Sequence, residues 1–372
     1  MSKDYLSKIL NTNHDLLQDL SNSQYIQNEF LGMLKSIEAI IPEDSRENFY
    51  RNLKTLRLNI SDTTQILGNA AGLYSGRTNE ICINKNMLEK LSISNKSLDV
   101  EELKDVILMT IYHELLHMAS TTRDEKTNYY ASGFQHIERS EAGEFLYSEE
   151  FQGMTEGFTE KLTILAFGKR TFESTSEYGR QMNFVEHLSE LTELETMKRA
   201  YFNNRDGMNP IEKGLEEIDG STSHIDLYQA IERDYRSSDS REINDAYEDT
   251  LLANIEQQLL HLSSEKMKML LEKNPTMTNE EISDFWKRIA GTINFPEKLE
   301  IMGENPKKYK GIEQLRAMFM SLRQTAMENR KKTIQITEIE DATRDIRVSD
   351  INNETNNIRT KIQDDKDYNR GD

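Results

Sequence analysis

The stretch that decides the fold is residues 100–120, VEELKDVILMTIYHELLHMAS. Its apolar residues recur at helical spacing and cover much of the helix circumference, as seen at Val106, Ile107, Ile111, Leu115 and Met118. A helix that is apolar over most of its surface is buried inside a protein. The pattern therefore predicts a central helix, whose polar residues need partners that offset the cost of burial.

Within this helix lies the motif HELLH, which runs from His113 to His117. Residues four apart in an α-helix lie about 40° apart around its axis, so the two imidazoles share one face. Imidazoles so placed can both bind one Zn²⁺ ion, at about 2.0–2.1 Å. Glu114 lies beside them and could accept a proton from a water that zinc activates. This arrangement is typical of zinc peptidases.

A catalytic zinc site needs a third protein ligand and leaves one position open. The metzincin pattern would put a histidine six residues after His117, but that residue is Arg123. The helix that contains Glu156 and Glu160 is the better source, because these two carboxylates are again four residues apart. One of them can bind zinc while the other orients a ligand histidine. A rival third ligand is His136, in the polar segment before that helix.

HELLH followed by the helix TEGFTE resembles the gluzincin clan of zinc metallopeptidases, over about residues 68–187. It is similar to small uncharacterised gluzincins of bacteria and phage. The resemblance implies a zincin-like catalytic core, with Glu156 as the third zinc ligand and Glu160 as the partner that orients His113. It also implies that the hairpin before the helix supplies an edge strand, EICIN, which binds an extended peptide by strand addition.

Two features depart from the gluzincin pattern. Thr155 stands where asparagine is usual, and 38 residues separate His117 from Glu156, about twice the separation in thermolysin-like and aminopeptidase-like members.

Zinc peptidases usually add a donor for the developing oxyanion, a tyrosine or a histidine. Tyr178 and His187 follow the second motif and are predicted to be catalytic in this sense.

The fold class predicted from the whole chain is α+β, mostly α, with a small antiparallel hairpin or sheet. Residues 75–79 should form the turn of the hairpin, and residues 80–84 its returning strand. Four segments are predicted: N-terminal helices, a catalytic core, a helical C-terminal region and a disordered tail, over residues 1–57, 58–190, 191–340 and 341–372.

Composition limits the possible partners. The chain has 46 Lys and Arg against 65 Asp and Glu, a net charge of −19, which argues against nucleic-acid binding. No apolar run approaches the roughly 20 residues of a membrane-spanning helix, and no signal peptide is seen. The single cysteine, Cys82, is predicted to be a core residue, and a cytoplasmic location is expected.

The function predicted from these observations is zinc-dependent hydrolysis of a peptide or protein substrate. Two alternatives stay open: a zinc-containing binding protein, and an effector protease that cleaves one host protein. The sequence leaves the oligomeric state and the cleavage specificity open.

Overall fold

A computed structural model gives the fold of the chain, which divides into two compact units. The first comprises residues 1–266 and 288–317, and the second comprises residues 267–287 and 318–372. The structure describes residues 5–293, with gaps at 22, 62–69, 85–99, 124–129, 136, 140–144, 148–150, 168–177, 204–207, 221–223 and 240–244, together with Gln324 and Glu328. The predicted tail at 341–372 lies outside the described residues, and the four-segment division stays a prediction.

Helices dominate, and the prediction of an α+β, mostly α fold is confirmed. The helices are α1 Tyr5–Thr12, α2 His14–Ser21, α3 Gln24–Ile40, α4 Arg46–Leu53, α5 Val100–Ser120, α6 Gln152–Phe167, α7 Gly179–Thr192, α8 Leu194–Phe202, α9 Asn209–Asp219, α10 His224–Asp239, α11 Asp245–Lys273 and α12 Asn279–Ile293. The strands are β1 Arg57–Ser61, β2 Gly72–Ser75, β3 Glu80–Asn84, β4 Thr122–Arg123, β5 Tyr130–Ala131, β6 Ile137–Arg139 and β7 Phe145–Tyr147. None of the described helices combines the length and apolarity that crossing a membrane requires.

Helix α5 is central, as its apolar sequence predicts. Helices α3, α4 and α6 and strands β2 and β3 all contact it, and Ile111, Leu115 and Leu116 are fully buried. Its C-terminal end is held by Asn52 of α4, whose side-chain amide donates to the carbonyls of Met118 and Thr121 at 2.8 and 2.7 Å. Such bonds satisfy carbonyls that the end of a helix leaves open.

The predicted hairpin is present, because β2 and β3 pair antiparallel across the turn at residues 76–79. Asn79 occupies the left-handed region, with φ of 58°, which asparagine tolerates better than most residues. Strand β1 joins in parallel on the other side of β3. The sheet order is therefore β1-β3-β2, and the prediction that EICIN is an edge strand is wrong: β3 is central, and β2 is an edge among the described strands.

Glu256 of α11 is a buried carboxyl group, only 1% exposed. Its Oε2 has no hydrogen-bond partner within the part of the chain that the structure describes, and burial raises its pKa well above the usual value. Glu256→Leu should raise the free energy of unfolding at pH 7 by about 1–3 kcal/mol, the usual cost of an unpaired buried polar group.

The stability gain should depend on pH, because a carboxyl group with a raised folded-state pKa binds its proton more tightly in the folded protein. The wild type therefore loses stability as pH rises above the ordinary glutamate pKa, while Glu256→Leu does not. Urea unfolding between pH 4 and pH 8 measures the difference in the free energy of unfolding between Glu256→Leu and the wild type. Gln257→Leu, a change at an exposed neighbouring residue, is the control. If this difference in the free energy of unfolding does not grow as pH rises, the raised pKa assigned to Glu256 is wrong.

Candidate metal centre

Two buried helices bring three ligand atoms to one point. His113 Nε2 and His117 Nε2, both from α5, lie 3.2 Å apart. Glu156 Oε2, from the first half of α6, lies 3.3 Å from the first of these nitrogens and 3.2 Å from the second. The three side chains are 12%, 11% and 14% exposed. This group is the one set of clustered histidines and acids among the described residues that could hold a metal ion.

The spacing of these atoms fits a tetrahedral metal ion. Ligand atoms about 2.0–2.1 Å from a tetrahedral zinc ion lie about 3.3 Å from each other. All three measured separations, 3.2, 3.2 and 3.3 Å, agree with that edge length. Two imidazoles and one carboxylate are also a donor set that zinc accepts, and three protein ligands leave the fourth position open.

Glu160 lies one turn after Glu156 and contacts the opposite side of the His113 ring. Its Oε2 is 3.2 Å from His113 Nδ1, and its side chain is 5% exposed. A carboxylate at Nδ1 fixes the ring so that the lone pair of Nε2 points toward the shared centre. The two acids of α6 therefore make different contacts: Glu156 faces both histidine Nε2 atoms, and Glu160 contacts Nδ1 of one ring.

The electrostatics of the cluster favour a cation at this point. Burial alone would lower the pKa of His113, yet the carboxylates of Glu156 and Glu160 hold it well above its usual value. Burial would raise the pKa of Glu156, but His117 and His113 hold it well below the usual range. The carboxylates stabilise positive charge between the rings, and a metal ion can supply that charge instead of a proton.

Glu114 lies beside the cluster and against strand β2. It is 7% exposed, its carboxylate accepts a hydrogen bond from the Tyr74 N–H, and burial raises its pKa. Gly72 allows this approach, because a Cβ atom there would lie 2.6 Å from Thr110 Cγ2 and 2.9 Å from Glu114 Oε1. The strand therefore fixes the carboxylate next to the ligands without making it one of them.

Tyr178 immediately precedes α7 and lies against the first histidine of the motif. Its ring stacks on His113, with centroids 5.9 Å apart and an angle of 22° between the planes. Tyr178 therefore lies next to the candidate metal ligands, and its catalytic role stays a prediction.

His187 is placed elsewhere, and the prediction of a catalytic role for it needs correction. Its Nε2 lies 2.7 Å from Ser263 Oγ, and its Nδ1 lies 3.0 Å from Thr292 Oγ1. The residue is 1% exposed, and burial lowers its pKa to about 3. Both ring nitrogens connect helices in the core, so neither is available to a substrate. The rival ligand His136 lies outside the described residues.

A short segment that the sequence did not mark connects the two ligand-bearing helices. The Ser132 hydroxyl donates to the carbonyl of His117 at 3.2 Å, and the Phe134 N–H donates to Thr155 Oγ1 at 3.1 Å. Between them, Gly133 has φ of 60°, and a Cβ there would lie 2.4 Å from Thr155. Thr155 thus anchors this segment beside Glu156, which gives a role to the residue that departs from the gluzincin pattern.

The fold and the cluster define a site that could hold a metal ion through two histidines and a glutamate. Residues 5–153 match the model of a family described as Metallopeptidase toxin 3. The match covers less than half of the chain; it includes His113, Glu114 and His117 and ends before Glu156. It supports a metallopeptidase-type protein, with metal-dependent proteolysis as its activity. No curated protein and no solved structure matches the chain significantly.

Proposed function

We propose that this protein is a zinc metallopeptidase of the gluzincin type, with His113, His117 and Glu156 as its metal ligands. The observation that carries the proposal is the set of three ligand atoms at mutual distances of 3.2–3.3 Å. The Glu160 carboxylate on His113 Nδ1 and the metallopeptidase family match support it independently.

Glu114 would act as the general base. When bound, zinc would polarise the scissile carbonyl and lower the pKa of the attacking water. The Glu114 carboxylate accepts the proton of that water and returns it to the leaving amine. Its hydrogen bond from the Tyr74 N–H holds the carboxylate in one orientation for both transfers. Tyr178 would donate its hydroxyl proton in a hydrogen bond to the developing oxyanion.

Strand β2 would bind the substrate as an added strand, in the role that the sequence assigned to EICIN. The carbonyls of Ala71 and Ser75 are bonded on the β3 side of the hairpin, to Asn84 N and Asn79 N. Backbone groups alternate along a strand, so those of Gly72 and Tyr74 face away from β3. The Tyr74 N–H is already bonded to Glu114, so the substrate would pair with the remaining groups on this side of β2. Leu73, 46% exposed, adds an apolar contact on the outer face of this strand.

The family description favours a particular version of this function. The family description names a toxin, which favours an effector protease with one narrow substrate over a general peptidase. A zinc-containing binding protein is disfavoured, because a purely structural zinc site has no use for a carboxylate beside an open coordination position. The cytoplasmic location expected from the sequence stays a prediction.

Metal removal tests the proposed function directly. The purified protein should contain one zinc ion per chain and should cleave members of a broad peptide library or of a proteome digest read by mass spectrometry. Dialysis against a chelator should abolish the cleavage, and stoichiometric zinc should restore it. A protein that binds no zinc, or a cleavage activity that persists in its absence, would contradict the proposal.

A further inference from the structure

A fully buried acid of helix α10 holds the beginning of helix α7. Asp234 is 0% exposed. One of its oxygens lies 3.2 Å from Arg180 Nη1, and the other accepts a hydrogen bond of 2.9 Å from Gln181 Nε2. A buried carboxylate is costly unless charged or polar donors satisfy it, so these two bonds fix the relative position of the two helices.

The two donors follow Tyr178 by two and three residues in the chain. Tyr178 is the residue before the first turn of α7, and its ring contacts those of His113 and Tyr235, with centroids 5.9 Å and 6.2 Å away. Tyr235 is the neighbour of Asp234 on α10. One helix therefore contacts both the backbone segment that carries Tyr178 and the ring itself.

The same turn of α7 also contacts α6, the helix that carries the proposed third ligand, Glu156. Gly157, which follows Glu156, packs so closely on α7 that a Cβ there would lie 2.5 Å from both the carbonyl carbon and the carbonyl oxygen of Gln181. A shift of Gln181 would therefore move the α6 backbone beside Glu156. Helix α10 contacts α6 as well, where Glu232 accepts a hydrogen bond of 3.0 Å from the Gly153 N–H in the first turn.

We infer that Asp234 is a positioning residue for the proposed peptidase site, and that it acts through Arg180 and Gln181 to place Tyr178 and Glu156. The part of this inference that concerns Tyr178 and catalysis rests on the proposed function. It gives a role in the site to a helix outside the part of the chain that matches the metallopeptidase toxin family.

Asp234→Asn tests the inference with little change in volume. The amide presents an N–H group to one of the two donors, so the start of α7 should shift. We expect kcat to fall about tenfold with KM changed less than twofold, since contacts behind a ligand or catalytic group typically contribute about 10–100-fold. Glu190→Gln is the matched control: it breaks an exposed ion pair with Arg288 near the other end of α7 and should leave kcat unchanged.

A double-mutant cycle separates positioning from general destabilisation. At saturating zinc, where a weaker Glu156 contact no longer limits the metal content, Asp234→Asn should lower kcat in the wild type but not further in Tyr178→Phe if it acts through the Tyr178 hydroxyl. Equal tenfold losses in both backgrounds would overturn this half of the inference, as would an unchanged kcat in Asp234→Asn. If Asp234→Asn does not fold, as judged by circular dichroism, Gln181→Leu removes one bond while Asp234 keeps Arg180.

Zinc affinity gives a readout that needs no activity. Competition with a chromogenic chelator should show several-fold weaker zinc binding in Asp234→Asn than in the wild type and in Glu190→Gln. Equal affinities would overturn the role in placing Glu156. A wild type that binds zinc but cleaves nothing would contradict the proposed function instead, and the chelator comparison would still decide whether Asp234 positions the ligand.

Discussion

Glu114→Gln is expected to bind zinc and fold as the wild type does, and to lose peptide hydrolysis by about 10²–10⁴-fold, the usual contribution of acid–base catalysis. Glutamine keeps the size of the side chain and can still accept the hydrogen bond from the Tyr74 N–H. It cannot accept a proton from the attacking water. The measurement is the initial rate of cleavage of the best substrate from the library screen, at matched zinc content.

The control for this variant is Asp105→Asn, which removes a carboxylate from an exposed position of the same helix. It should keep full activity, so that a loss seen only in Glu114→Gln reflects the position of the carboxylate. Undiminished cleavage by Glu114→Gln with intact zinc would remove this residue from the mechanism. A loss of zinc in Glu114→Gln would show that the carboxylate supports the metal site itself.

Local periodicity explains why so much of the ligand cluster could be predicted. Two residues four apart on a helix share a face whatever the rest of the fold does. The pairs His113 with His117 and Glu156 with Glu160 are both of this kind. What the sequence could not give is that the two faces meet, and that Glu156 Oε2 comes within 3.3 Å of both imidazoles. The resemblance to gluzincins supplied that step.

The order of the strands in the sheet could not be predicted from a local sequence pattern. The hairpin prediction rests on the turn and on alternation, and both are local. The place of β1 depends on pairing with a strand more than 20 residues further along, in parallel, which no spacing in the sequence indicates. The parallel partner is what makes β3 central and leaves β2 beside Glu114. The hairpin was therefore predicted correctly, but the edge strand was assigned to β3, which is central, and not to β2.

Residues with long-range partners were the hardest to interpret. His187 has the right residue type and a suitable distance along the chain from the second motif, but Ser263 and Thr292 occupy both of its ring nitrogens. Asp234 carries no motif, and its partners lie more than 50 residues away. A buried polar residue and a catalytic one look alike in a sequence, because the difference lies in which groups surround them.

Glu156→Ala is the second variant with a large expected effect: it should lose most of its zinc. Only His113 and His117 would remain, and two ligands from one helix do not complete the three-ligand site that a catalytic zinc ion requires. His113→Ala and His117→Ala should lose zinc for the same reason. The measurement is elemental analysis after gel filtration, beside thermal unfolding with and without added zinc; equal zinc content in all variants and the wild type would contradict the site.

Glu160→Ala is the matched comparison, because it removes a carboxylate from the same face of α6, one turn further on. Its oxygen contacts His113 Nδ1 at 3.2 Å and not the shared centre, so zinc affinity should fall only about 10–100-fold, as for other groups that orient a ligand. Chelator competition should therefore rank the wild type first, Glu160→Ala second and Glu156→Ala last. The reverse order of the two variants would exchange the roles of the two glutamates. Full zinc retention in Glu156→Ala, with zinc loss in His136→Ala, would move the third ligand to His136 and remove the basis for the gluzincin assignment.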